Sequence, residues 1–384
     1  MSGTGDGASG ETDPCVEAMG ELAPRLLRVL AMLELAQRHL HPPALPALAA
    51  ELRPMAEDLG EATTRFTAVD WPAPLHPVRD RMTEASALAA GACAGLDAQG
   101  PEDVLSAYRA LRKATRAQEA LWPLAAVLPP FSRFFLERSL PDDVALALLD
   151  RLAAATAEPR PGRGVFHEAN DVLERGGFSL YVPEWVPDDE PMPLVMALHG
   201  GSGHGRDFLQ AWLREARTRG CVLVAPTSPD RTWSFTGGPD TDAERLFELV
   251  RTIQGLVPTD PARMLLTGMS DGGTYTLLTG LREDSPFTAL APFSCVLSPE
   301  VFVDGRIGNA RDLPIRYVHG ALDWMFPMTM AQEAAVALEG AGAQLEFVEV
   351  ADLSHTYARD ENGRVLDWFG VPQPTLGQPD ASPG

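Results

Sequence analysis

The sequence predicts an all-α helical region followed by an α/β domain, in which a mostly parallel sheet is flanked by helices. Three observations carry that reading. From about Asp13 to Ala155 apolar residues recur at helical spacing, as in Leu26, Leu27, Leu30, Leu33 and Leu35, and no strand-like run interrupts them. After a stretch rich in proline, glycine and arginine, Ala157 to Gly164, short apolar runs begin to alternate with helical stretches. The length of 384 residues exceeds one typical domain of about 150 and leaves room for two cores.

The first part divides into five or six helices at HPPALP (His41 to Pro46), WPAP (Trp71 to Pro74), AQGPED (Ala98 to Asp103), LPP (Leu128 to Pro130) and LPDD (Leu140 to Asp143). Pro101 with Glu102 and Asp103, and Pro141 with Asp142 and Asp143, suit helix starts, where proline lacks no needed N–H and acids face the positive end of the dipole. The expected organisation is a disordered terminus over 1–13, a helical domain over 14–156, a linker over 157–163, the α/β domain over 164–370 and a disordered tail over 371–384. The helical domain has no evident chemistry. Covering the site of the second domain or forming a homodimer are its open roles. His39, His41 and His76 stand beside prolines without an acidic partner at ligand spacing, so no metal is expected there.

In the second part the runs FSLYV (Phe178 to Val182), PLVMALHG (Pro193 to Gly200), CVLVAP (Cys221 to Pro226), RMLLTG (Arg263 to Gly268), PIRYVHG (Pro314 to Gly320) and LEFVEV (Leu345 to Val350) read as strands. Most are apolar throughout, as strands covered on both faces are. In such sheets chemistry gathers beyond the carboxyl ends of the strands.

Charge narrows the partners. With 31 Lys and Arg against 53 Asp and Glu, the net charge of -22 opposes binding to a phosphate backbone, so no nucleic-acid partner is expected. Cys15, Cys93, Cys221 and Cys295 lack the close CxxC spacing of metal or redox sites. The start of the sequence has no basic and apolar leader, and the apolar run Leu26 to Leu35 is broken by Arg28 and Glu34, so the expectation is a cytoplasmic protein with no transmembrane segment.

The chemistry is written after the strands. RMLLTG leads into Gly268, Met269, Ser270, Asp271 and Gly272, a GxSxG turn between a strand and a helix that lifts a serine hydroxyl above a sheet. Ser270 is the expected nucleophile. The N–H of Asp271 stands at the helix N-terminus, suited to an oxyanion, and its carboxylate needs no role. HGGSGHG, His199 to Gly205, follows an earlier strand, and the N–H of Gly201 is the expected second oxyanion donor. A glycine-rich phosphate loop is the rival reading, but no acidic residue ends the next strand to hold a ribose. Asp323 follows PIRYVHG and His355 follows LEFVEV, which completes the order Ser270, Asp323, His355, with Asp352 as the competing acid. Trp233 and Phe235, and Trp324 and Phe326 around Asp323, are expected at the mouth of the site, with packing as local core the competing reading.

The motifs HGGSG, GMSDGG, HGALDWMFP and SHTY, with TWSF and TDPARMLLTG, resemble those of the phospholipase/carboxylesterase and polyhydroxybutyrate-depolymerase-like esterases of the α/β-hydrolase superfamily. The resemblance runs from about Gly164 to Gly370 and leaves the helical region outside it. It implies a serine esterase of small-molecule or oligomeric esters, working through an acyl-enzyme without a cofactor. Acyl transfer or thioester cleavage by the same residues, or a silent hydrolase-fold scaffold, remain alternatives.

Overall fold

The structure is a computed structural model that describes residues 13–96, 103–235 and 240–375. Contacts divide the chain into two compact units, Met1–Glu34 with Leu45–Leu124, and Leu35–Ala44 with Ala125–Gly384.

The first unit is helical. It holds α1 (Pro14–Arg38) as far as Glu34, α2 (Leu45–Thr67), α3 (His76–Gly95) and α4 (Asp103–Leu121). On α1 the buried stripe is Leu22, Leu26, Leu30 and Leu33, whereas Leu35 falls two residues past the stripe and is exposed. Small residues on α3 and α4 let those helices approach closely, so that a Cβ on Gly95 would sit 2.6 Å from that of Ala110. The break at residues 71–74 falls between helices and that at 41–46 runs into the first turn of α2, while that at 98–103, with the Pro101 and Glu102 helix start, lies outside the described residues apart from Asp103.

The second unit contains α5 (Pro129–Phe134), α6 (Asp142–Ala157), β1 (Gly164–Glu168), β2 (Phe178–Val182), β3 (Met192–Leu198), α7 (Gly205–Arg219), β4 (Val222–Pro226) and α8 (Asp242–Leu256). It continues through β5 (Thr259–Met269), α9 (Asp271–Gly280), β6 (Ala289–Phe293), α10 (Glu300–Val303), β7 (Pro314–Gly320), α11 (Met328–Gly340), β8 (Gln344–Val350) and α12 (Asn362–Trp368). The eight strands form one sheet in the order β1-β2-β4-β3-β5-β6-β7-β8. β2 pairs antiparallel with both β1 and β4 near one edge, and the remaining pairs run parallel. β3 and β4 are buried along their whole length, the burial on both faces that their unbroken apolar runs call for.

Two strands are absent from the sequence reading. β1 is a half-exposed edge strand directly after the arginine-rich stretch. β6, Ala-Leu-Ala-Pro-Phe, lies inside the sheet although it contains Pro292, which has no N–H to give. The β6–β7 ladder is registered only at Leu290 with Ile315 and at Phe293 with Val318, so the gap spans the proline.

The compact units are also drawn differently from a break at 157–163. α5 and α6 group with the sheet: Leu136, Leu140, Ala145, Leu148 and Leu152 form a cluster that Trp185 joins. Buried Glu137 is paired with buried Arg219 at 2.5 Å. Within the expected linker, Arg160 donates to Asp188 and to the carbonyls of Glu184 and Val186, and Arg163 pairs with Asp188. Helical periodicity reports that a segment is helical, and which body it packs on is decided by side chains distant in sequence. The expected disordered ends at 1–13 and 371–384 lie mostly outside the described residues. Where the tail is described it is anchored, with Val371 accepting from Arg219 at 2.7 Å and Gln373 donating to Ser139 at 2.9 Å. Among the described residues, no helix is long and apolar enough to cross a membrane.

Candidate active site

Ser270 occupies the turn between β5 and α9 with φ 57° and ψ −120°, a conformation that L side chains rarely adopt. The turn is closed by backbone alone. Ser270 N–H donates to the Phe293 carbonyl at 2.9 Å, and its own carbonyl accepts from Thr274 N–H at 2.9 Å. A Cβ on Gly268 would collide with the Gly272 carbonyl, and one on Gly272 with the carbonyls of Leu198 and His199. Glycine at both positions is therefore a steric requirement of the strained turn.

Asp323 lies just past β7 and His355 just past β8, both buried. His355 Nε2 is 3.1 Å from Ser270 Oγ, and Nδ1 is 2.8 Å from Asp323 Oδ2. The other oxygen of Asp323 accepts the N–H groups of Met325 at 2.9 Å and Phe326 at 2.8 Å, which fixes the carboxylate. A carboxylate can only accept, so Nδ1 carries the hydrogen and Nε2 presents its lone pair to the serine. Asp352, the competing acid, is exposed and pairs with Arg38 at 2.7 Å instead.

The loop after β3 lies alongside. A Cβ on Gly200 would be 3.5 Å from Ser270 Cβ, and one on Gly201 would be 2.6 Å from the Asp271 carboxylate. Asp271 opens α9, so its backbone N–H has no acceptor within the helix. Its carboxylate is held by the Thr232 hydroxyl at 2.5 Å.

The four aromatic residues separate into two pairs. Trp324 and Phe326 approach the His355 ring edge-on, with centroids 6.3 Å and 5.2 Å away, and Trp324 is 43% exposed. Trp233 does not line the mouth: it is buried, stacks on Tyr275 at 5.5 Å, and donates its indole N–H to the His199 carbonyl at 2.8 Å. Phe235 packs against the same core. An aromatic residue following a strand is as readily core as rim, and Trp233 supports the glycine loop from behind. A cavity of about 850 Å³ borders Trp233 with Gly176, Phe178, Asp242 and Arg245, and none of Ser270, Asp323 or His355 lines it.

Two histidines gain roles that spacing did not reveal. His199 Nδ1 donates to the Gly200 carbonyl at 2.8 Å while Nε2 accepts from Ser228 N–H at 3.1 Å, locking the first turn of the glycine loop. His319 is fully buried and donates from Nε2 to the Phe326 carbonyl at 2.8 Å, bracing the turn that holds Asp323, and burial pushes its pKa down. The signal was present, since a His-Gly pair ends both PLVMALHG and PIRYVHG. Among the described residues, no group of three or more His, Cys, Asp or Glu side chains is placed to hold a metal ion.

Residues 240–368, which include Ser270, Asp323 and His355, match the protein-family model described as Phospholipase/Carboxylesterase. The sheet-bearing unit has an α/β-hydrolase-type fold, a mostly parallel eight-stranded sheet flanked by helices. Its strand order and the chain order of Ser270, Asp323 and His355 agree with that fold. Similar solved structures include a thermostable esterase, at 19% identity over 55% of this chain and 63% of that chain, with a TM-score of 0.43. This chain thus spans less than two thirds of that esterase's length. Others are the fluorophosphonate-binding serine hydrolase F of Staphylococcus aureus, at 14% identity over 54% and 99% with a TM-score of 0.43, and an S-formylglutathione hydrolase from Agrobacterium tumefaciens, at 18% over 55% and 95% with a TM-score of 0.42.

Proposed function

We propose that the hydrolase unit is a serine esterase that cleaves carboxylic esters through Ser270, His355 and Asp323. The observation that supports this best is the continuous hydrogen-bonded series from Ser270 Oγ through His355 to Asp323, with the accepting face of the imidazole toward the serine. His355 Nε2 takes the hydroxyl proton as Ser270 Oγ attacks the ester carbonyl carbon, and Asp323 stabilises the imidazolium that forms. The N–H groups of Asp271 and Gly201 receive the negative oxygen. On collapse His355 returns the proton to the leaving alkoxide, leaving Ser270 acylated. Water then attacks with His355 again as base, and the carboxylic acid departs.

Trp324 and Phe326 place apolar surface beside the base, which suits an ester with an apolar or aryl portion. The four buried, unpaired cysteines support a reducing cytoplasmic setting. Ser270→Ala is expected to lower hydrolysis of a nitrophenyl ester by roughly 10⁴-fold or more, since removal of a triad nucleophile has effects of that order. Hydrolysis at the native rate by a purified Ser270→Ala protein would sink the assignment.

A further inference from the structure

The loop that carries His355 is held from two directions. On one side the Leu322 N–H donates to the Leu353 carbonyl at 2.9 Å, and Gly320 leaves no room for a Cβ against that carbonyl. On the other side is a piece of the helical region, residues 37–41, which belongs to the same compact unit as the sheet. Arg38 Nη2 donates to Asp352 at 2.7 Å, and Nε donates to the two oxygens of Asp360 at 3.0 and 3.1 Å. The Gln37 carbonyl accepts the Thr356 hydroxyl at 3.0 Å, and His41 Nδ1 meets Ser354 Oγ at 3.2 Å.

Ser354 and Thr356 are the immediate neighbours of His355, and Asp352 and Asp360 bracket the loop. One guanidinium therefore ties both ends while two further hydrogen bonds fix the residues beside the imidazole. The side chain of Arg38 is largely buried and Nη1 has no partner among the described residues, a cost that the two carboxylates must offset. Burial opposes its charge, and Asp352 and Asp360 outweigh that, so its pKa is raised.

We propose that residues 37–41, and Arg38 above all, form a clamp that positions His355 for proton transfer with Ser270, so that part of the catalytic apparatus comes from the helical N-terminal region. This rests on the esterase reading. Arg38 touches neither substrate nor the reacting atoms and is a positioning residue. A misplacement of about 1 Å at a reacting group can lower a rate by about a hundredfold, so a side chain that only sets an imidazole can still govern kcat.

The test uses the full-length chain with Arg38→Met, Arg38→Lys and the shape-conserving Thr356→Val, and with Arg65→Met as a control in the first unit, where Arg65 pairs with Glu21. On nitrophenyl acetate, Arg38→Met is expected to lower kcat about tenfold or more and Thr356→Val about threefold, with KM changed less than about twofold. Arg38→Lys should recover part of the loss, and Arg65→Met should leave kcat unchanged. A second readout needs no ester: the low-field proton resonance of the His355 N–H donated to Asp323, present in the native protein and broadened or lost in Arg38→Met. If native protein hydrolyses esters, the kinetic arm decides, and a native kcat in Thr356→Val and in folded Arg38→Met overturns the clamp. If no ester is hydrolysed, the esterase reading fails and the resonance decides, its retention in both variants overturning the clamp. Should Arg38→Met fail to fold, Thr356→Val carries the decision.

Discussion

Ser270 and His355 meet across 3.1 Å, yet the segments that carry them are fixed by different means. The Ser270 turn is built from backbone: a strained φ, two glycines without room for a Cβ, and hydrogen bonds to the adjoining strand and helix. The His355 loop adds side chains to a backbone contact at Leu353, with Arg38, His41, Asp352, Ser354, Thr356 and Asp360 meeting around it. The first arrangement tolerates almost no substitution at its glycines because the obstacle is immovable main chain. The side-chain part of the second spreads its support over several weaker bonds, so the loss of one of them should be graded.

That contrast sets the order of expected effects. Gly272→Ala drives a methyl into the carbonyls of Leu198 and His199, and should lower kcat about a hundredfold and stability by about 1–3 kcal/mol, measured by ester hydrolysis and urea unfolding. Activity within threefold of native would mean the turn is softer than its geometry implies. Arg38→Met should come next, at about tenfold. Trp324→Ala, which trims the exposed rim and leaves Ser270, Asp323 and His355 in place, should raise KM for an aryl ester about three- to tenfold with little change in kcat. An equal fall in kcat would instead make Trp324 a support for His355.

The smallest effect concerns His319. Its folded pKa lies below the ordinary 6.5 because of burial, so the unfolded chain binds the proton more readily. The neutral buried form contributes its full stability above about pH 6.5, and that contribution is lost as pH falls through the folded value. Melting temperatures recorded from pH 8 to pH 5 should therefore drop less steeply in His319→Asn than in the native protein. Parallel profiles would remove His319 from the acid sensitivity of the turn that holds Asp323.

The same contrast explains what could be read from the sequence. The Ser270 turn is written in five consecutive residues because its constraint is steric and local, and Asp323 and His355 follow strands whose apolar runs stand out. β6 stayed hidden because Pro292 speaks against an interior strand, and only the gap in its ladder shows how the sheet accepts it. Rim or core is left open for Trp233 and Trp324 because residue type and position after a strand do not say which way an indole faces; Trp233 is buried and Trp324 exposed. The grouping of residues 35–44 and 125–157 with the sheet was hidden more deeply, since Arg38 and Asp352 are 314 positions apart and helical periodicity says nothing of such partners.

Whether Ser270 is a nucleophile activated by His355 is tested by labelling the full-length protein with a fluorophosphonate, followed by mass spectrometry of the peptide that contains residue 270. The account predicts one adduct, on Ser270, absent from Ser270→Ala and slowed by orders of magnitude in His355→Ala. A native protein that stays unlabelled, or carries the adduct on another residue, would contradict it.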